Sequence, residues 1–120
     1  AQSAVVLHGF NNYSLEHLMP KKWHNNWPAC PTPLDAEKRD SILLTLGNLA
    51  IIPQSLNASI RDSDWNTKKA GKGQEKPGLT LCASGLSTLQ DALTKTDWNE
   101  SEIQTRALWL YKQAQSLWKL

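Results

Sequence analysis

Five residues in one stretch of the chain carry groups that can do chemistry together: Glu16 beside His17, then Asn48, Asn57 and Lys68. A carboxylate and an amide oxygen are hard donors of the kind that hold Mg²⁺ or Mn²⁺. An imidazole with an ordinary pKa of about 6.5 accepts a proton at neutral pH. An ammonium stabilises charge that develops on a phosphoryl oxygen. Metal-assisted hydrolysis of a phosphodiester needs these kinds of group: a base to deprotonate a water, and cations against the phosphorane and the leaving oxygen. Each residue also has a plainer reading by itself: a capping histidine, a solvated strand glutamate, a turn asparagine, a helix-surface amide, a surface lysine. Their order and spacing decide between the two.

The elements that must position them can be read in turn. Tyr13 to His17 alternates apolar and polar residues and the run stops at Pro20, as a strand would. Neighbours on a regular strand point to opposite faces, so Glu16 and His17 share one face only if the strand departs from regularity between them and Pro20. Trp23 to Pro33 reads as irregular loop, with Pro28, Pro31 and Pro33 suppressing helix. A helix is expected over 34–46, capped by Thr32, stopped by Gly47, with Leu34, Ile42, Leu43 and Leu46 inward. Leu49 to Ile52 is a short apolar run ended by Pro53, a second strand expected to be buried on both faces, entered through the Gly47-Asn48 turn.

From Pro53 to Arg61 the pattern is helical, with Leu56 and Ile60 inward and Asn57 beside them. Asp62-Ser63-Asp64 breaks the chain and caps a short helix from Trp65 to Ala70 that carries Lys68 and Lys69; residues 71–78 read as a polar, mobile loop. The remainder is helical, over 85–94 and then, capped by Asn99, over 100–119, where Ile103, Ala107, Leu110, Ala114 and Leu117 form one stripe. Trp98, Trp109 and Trp118 read as packing residues. The short apolar patch of Val5, Val6, Leu7 and Phe10 is ambiguous between strand and helix end, and His8 reads as structural.

With 120 residues, 40% of them hydrophobic and 20% charged, the chain has the size and composition of one folded domain. The net charge of +2 excludes a strongly basic scaffold, yet Lys21, Lys22, Arg61, Lys68, Lys69, Lys72 and Lys76 fall in or just after the central stretch and permit a basic face. Cys30 and Cys82 lack the spacing of a secreted disulfide framework, which favours a reducing cytoplasm. A zinc site from His17, His24, Cys30 and Cys82 is disfavoured by the absence of paired-ligand spacing. No segment reads as a signal peptide or a membrane span, and a start at Ala1 without Met suggests a piece of a longer protein.

Glu16-His17-Leu18-Met19-Pro20, Leu46-Gly47-Asn48-Leu49, Asn57, the aromatic-x-x-Lys of Trp65 to Lys68, and the tail Trp98, Ile103, Arg106 and Trp118 together carry a resemblance. The chain resembles the C-terminal HNH nuclease domain of GmrSD-type, modification-dependent restriction proteins, a branch of the ββα-metal (His-Me finger) nucleases. The resemblance runs from about Tyr13 to Trp118. It implies an α+β fold, mostly helical, in which a ββα-metal core over 13–69 packs on helical support over 85–120 within one domain. It implies His17 as general base, Glu16 and Asn57 as ligands of Mg²⁺ or Mn²⁺, and Asn48 as the residue that pins the loop and orients His17. Lys68 would support the scissile phosphate, and Lys21, Lys22, Arg61 and Lys69 would contact the DNA backbone. Many HNH enzymes have Asp in place of Glu16 and His in place of Asn57. Also implied are a cytoplasmic, antiviral role against modified phage DNA, a preceding nucleotide-hydrolysing sensor domain, and no membrane. The main rival is a catalytically inactive HNH-like module that binds DNA or protein; a plain helical interaction domain is the second.

Overall fold

The computed structural model describes residues 13–73, 76–82 and 87–117, without the side chains of 57–59, 82 and 87. The patch around Val5, His8, the start of the helix expected from Gly85, and Trp118 therefore lie outside the described residues, as does the side chain of Cys82.

The fold is α+β: one two-stranded sheet and several helices. Strand β1 (Tyr13–His17) pairs antiparallel with β2 (Leu49–Pro53), from Tyr13 opposite Pro53 to His17 opposite Leu49. The Leu18 N–H donates to the Asn48 carbonyl at 2.8 Å, which carries the ladder one step further. Between the strands lie α1 (Pro33–Ile42) and a 3₁₀ turn (Leu46–Asn48). After β2 come α2 (Gln54–Ile60), α3 (Trp65–Ala70), α4 (Leu79–Cys82), α5 (Ser87–Leu93) and α6 (Glu100–Leu117). Helix α2 packs on both strands, and α6 packs on the 3₁₀ turn.

Local chemistry sets most of these boundaries. Thr32 caps α1, its Oγ1 accepting from the Asp35 N–H at 3.1 Å, with Pro33 in the first turn where no N–H is missed. The helix ends at Ile42, earlier than Gly47, because the Thr45 hydroxyl and N–H both donate to the Ile42 carbonyl and close a turn there. Gly47 has another task. A Cβ on it would lie 1.9 Å from the Ile103 carbonyl oxygen, so only glycine lets the 3₁₀ turn lie against the α6 backbone. Asp64 caps α3 through the Thr67 N–H at 2.8 Å, and Asn99 caps α6 through the Glu102 N–H at 3.0 Å.

The core gathers Leu18, Met19, Leu43, Ile52, Ile60, Leu79, Leu89 and Ile103 with the indoles of Trp23, Trp27, Trp65 and Trp98. Several expected inward positions face solvent instead. Leu34 and Leu46 are exposed, so the inner side of α1 is made by Arg39 with partly buried Ala36 and Ile42, and Leu43 enters the core just past the helix end. Ile51 is 63% exposed, which makes β2 a one-sided strand. Along α6 the stripe is buried only at Ile103, joined by Arg106; by Ala114 and Leu117 it is in water. Helix α4 was not anticipated: its four residues are too few for a period to show. The glycine-bearing segment before it is closed at its base by the Gly71–Pro77 bridge and a Lys72 N–H bond to the Lys76 carbonyl at 2.7 Å.

Candidate active site

Glu16 and His17 end β1, and their pairing with Ala50 and Leu49 is unbroken. The expected irregularity between them is absent, so their side chains leave opposite faces of the ribbon. Glu16 turns inward and is buried, while His17 is half-buried.

Glu16 meets Lys68. The Lys68 ammonium, wholly buried on α3, lies 2.9 Å from Oε2 of Glu16 and donates to the His17 carbonyl at 2.6 Å. The Oε2 contact is at ion-pair distance but off the line of a well-aligned hydrogen bond, so charge does most of the holding there. Burial pushes the Glu16 carboxyl above the usual carboxylate range although Lys68 pulls it down, and burial likewise holds Lys68 below the usual lysine value against the pull of Glu16. Burial, then Lys21 and Lys68, depress the His17 imidazole. Neutral imidazole, able to accept a proton, thus prevails at neutral pH. Lys68 has no surface to offer a phosphate; its charge is spent inside, on Glu16 and on the backbone of His17.

Asn48 is also wholly buried, and its amide is fully engaged. Oδ1 accepts from the Met19 N–H at 2.8 Å and from Trp98 Nε1 at 3.0 Å. Nδ2 donates to the Met19 carbonyl at 2.8 Å and to the Leu43 carbonyl at 3.1 Å. The chain just beyond His17 is thereby tied to the turn that opens β2. Arg106 completes the fixture: Nη1 donates to the carbonyls of Gly47 and Leu49, each at 2.9 Å, and Nε to that of Thr88 at 3.2 Å. Neither the indole bond to Asn48 nor the guanidinium clamp was read from sequence. The available signal was Arg106 three residues after Ile103, on the same face of a helix.

The remaining candidates divide. Lys21, Lys22 and Arg61 are exposed. Lys69 is partly buried, donating to the Lys95 carbonyl at 2.9 Å with its ammonium 5.4 Å from the Trp65 ring centre. Asn57 lies on α2, but its side chain is outside the described residues. His24 stacks on Trp23 at 4.0 Å between ring centres. A cavity of about 500 Å³ beside Trp27, Trp65 and Trp98 touches Met19 but none of Glu16, His17 and Lys68. Its indole walls are buried, their N–H groups bonded to the Ser63 and Lys95 carbonyls and to Asn48.

Among the described residues no three His, Cys, Asp or Glu side chains cluster as a metal site. That disfavours a cage of protein ligands such as structural zinc requires. Mg²⁺ or Mn²⁺ asks for less, one or two carboxylate or amide oxygens with water and substrate phosphate filling the rest. Oε2 of Glu16, a buried hard oxygen lacking a well-aligned hydrogen bond, could meet that demand in exchange for its contact with Lys68. Among the described residues no helix is long and apolar enough to cross a membrane.

Nothing among curated proteins or solved structures matches the chain. Residues 2–113 match the family described as GmrSD restriction endonucleases, C-terminal domain, a span that takes in both strands, the Asn48 turn, Lys68 and most of α6. The chain belongs to that family of restriction-endonuclease domains.

Proposed function

We propose that the chain is a metal-dependent DNA endonuclease or nickase domain of HNH type, whose centre is the end of the β1–β2 ribbon. The observation that carries this reading is that the end of β1 presents a half-buried imidazole on one face and, on the other, a buried carboxylate whose Oε2 lacks a well-aligned hydrogen bond. His17 takes the proton from an attacking water. Glu16, with Asn57 from α2, would hold Mg²⁺ or Mn²⁺, which when bound supplies charge against the phosphorane and the leaving oxygen. Because the two side chains leave opposite faces, the phosphate would sit at the tip of the ribbon on the half-buried His17, with Glu16 behind it in the interior. Asn48 never touches DNA; its four hydrogen bonds fix the backbone from which His17 projects. Exposed Lys21, Lys22 and Arg61 contact the backbone of the duplex.

The family supports DNA as substrate and restriction as the setting. In that setting the domain acts in the bacterial cytoplasm on modified phage DNA, under a nucleotide-hydrolysing sensor domain that precedes it in the same protein. One observation favours the second reading, an inactive HNH-like module that binds DNA or protein: the Glu16 carboxylate already has a positive partner in Lys68. Plasmid nicking in Mg²⁺ or Mn²⁺ by the purified chain, beside its His17→Ala variant, separates the two. Metal-dependent nicking lost in the variant is the expected result; undiminished nicking removes His17 as the base, and none by either protein favours the inactive module.

A further inference from the structure

Glu16 is the one buried acid among the described residues, and Lys68 touches it with the whole of its ammonium out of water. A carboxyl in that position stays charged only with a positive partner, because an unpaired charge in a low-dielectric interior is strongly disfavoured and takes up a proton instead. The manner of pairing is informative. Oε2 stands 2.9 Å from the Lys68 ammonium, close enough for a charge-assisted contact, but off the line of a well-aligned bond, which Lys68 gives to the His17 carbonyl instead. Lys68 has a separate anchor in the His17 carbonyl at 2.6 Å, which keeps its ammonium bonded even if the carboxylate turns to something else. Lys68 itself sits in the last turn of α3, where a positive charge is favoured, in a helix fixed by the Asp64 cap.

We propose that Lys68 and a divalent cation are alternative partners of the Glu16 carboxylate, so that Lys68 holds the centre ready when no metal is bound and sets the threshold for metal loading. The inference rests on Glu16 being a metal ligand, as in the proposed function, and adds a regulating residue to that site. Without metal, Lys68 keeps Glu16 buried and in place. When Mg²⁺ or Mn²⁺ arrives, the lysine charge opposes it through a medium that screens poorly, and this lowers the affinity. Oε2, which lacks a well-aligned hydrogen bond, would be the atom that holds the cation, while Lys68 stays on the His17 carbonyl and holds the end of β1. Lys68 is a positioning residue in this scheme; it touches neither substrate nor reacting atoms.

The test is Mn²⁺ binding by calorimetry and thermal melting with and without Mn²⁺, on the full chain, for the wild type, Lys68→Met, Glu16→Gln and the double variant Glu16→Gln/Lys68→Met. Lys68→Met removes the charge and keeps most of the volume. It should melt below the wild type without metal, recover on adding Mn²⁺, and bind Mn²⁺ at least about tenfold more tightly. The double variant, with neither charge buried, should fold without metal and bind none. Folded Lys68→Met that binds Mn²⁺ no more tightly than the wild type, in a way Glu16→Gln abolishes, overturns the exchange and leaves the metal site standing. So does a Lys68→Met chain that stays unfolded at saturating Mn²⁺ while the double variant folds. If no variant and not the wild type binds Mn²⁺, the metal reading itself falls, and the exchange with it.

Discussion

Trp98 and Asn48 are hydrogen bonded side chain to side chain, Nε1 to Oδ1 at 3.0 Å across fifty positions of sequence, with both residues buried. Through that bond the segment that leads into α6 reaches the turn between the strands and, by way of Met19, the chain that follows His17. The helical support and the candidate centre are thus joined by polar contacts in the interior, where a missing partner is costly.

Asn48→Ala should therefore be far more damaging than Trp98→Phe. The first leaves the Met19 N–H and carbonyl, the Leu43 carbonyl and the Trp98 indole without their side-chain partner, and orphaned buried groups cost about 1–3 kcal/mol each, so a loss of about 3 kcal/mol or more is expected. The second keeps Oδ1 bonded to the Met19 N–H and should cost about 1–2 kcal/mol in lost bond and packing. Urea denaturation of both variants compares them. Equal losses would mean that the interior relaxes around Asn48 and that it does not fix the turn.

Gly47→Ala should cost about 2–3 kcal/mol through overpacking, because the added methyl would meet the α6 backbone at the Ile103 carbonyl and, at 2.9 Å, at the Ala107 nitrogen, neither of which can swing aside. Arg106→Lys should approach the same loss, since a single ammonium cannot span the carbonyls of Gly47, Leu49 and Thr88 as the planar fork does. Both substitutions act on one joint, so the double variant should lose less than the two single losses added. Additive losses in a denaturation cycle would separate the guanidinium clamp from the docking of the turn.

What the sequence disclosed and what it withheld follow from the range of the interactions. Caps and turns are local, so Thr32, Asp64 and Asn99 were legible, and with them the starts of α1, α3 and α6. The two strands followed from alternation and from an apolar run between turn residues, while their joining in one α+β core was implied by the family resemblance. Burial depends on what lies across the fold. The outward turn of Leu34, Ile51 and Leu117, and the inward turn of Arg39, Lys68 and Arg106, reverse the usual preferences of those residue types. Lys68 is the sharpest instance: on the surface it would serve a phosphate, but opposite a buried Glu16 from a strand fifty-two residues earlier it becomes an internal countercharge, which no local pattern announces.

Acid should find the Asp64 cap. Its carboxyl lies below the usual carboxylate range because the Thr67 N–H and hydroxyl hydrogen bond to it. A group depressed on folding contributes stability that is fully present above its unfolded pKa and is lost as pH falls through its folded value. Melting temperature should thus fall below about pH 4 in the wild type, with part of the fall removed in Asp64→Asn. At neutral pH, Asp64→Ala should cost about 1 kcal/mol as a lost cap. An Asp64→Asn chain whose acid limb superimposes on that of the wild type would show that other carboxylates govern the transition.

The basic residues divide into those free to meet DNA and those already engaged, and salt dependence should tell them apart. Lys21 and Lys22 are exposed just past the end of β1, beside the ribbon tip where the phosphate is proposed to sit. Each lysine that neutralises a phosphate releases condensed counterions and contributes about 0.9 to the slope of log affinity against log salt. Lys21→Gln/Lys22→Gln should lower DNA affinity without altering the fold and reduce that slope by about 1.8. Lys69→Gln should leave the slope nearly unchanged, because its ammonium is committed to the Lys95 carbonyl and the face of Trp65; its loss should appear in thermal stability instead. Binding isotherms on a short duplex in EDTA, across a series of salt concentrations, measure both variants without cleavage. A steeper loss of slope for Lys69→Gln than for the Lys21/Lys22 pair would place the duplex on the α3 side of the domain and move the proposed DNA path away from the ribbon tip.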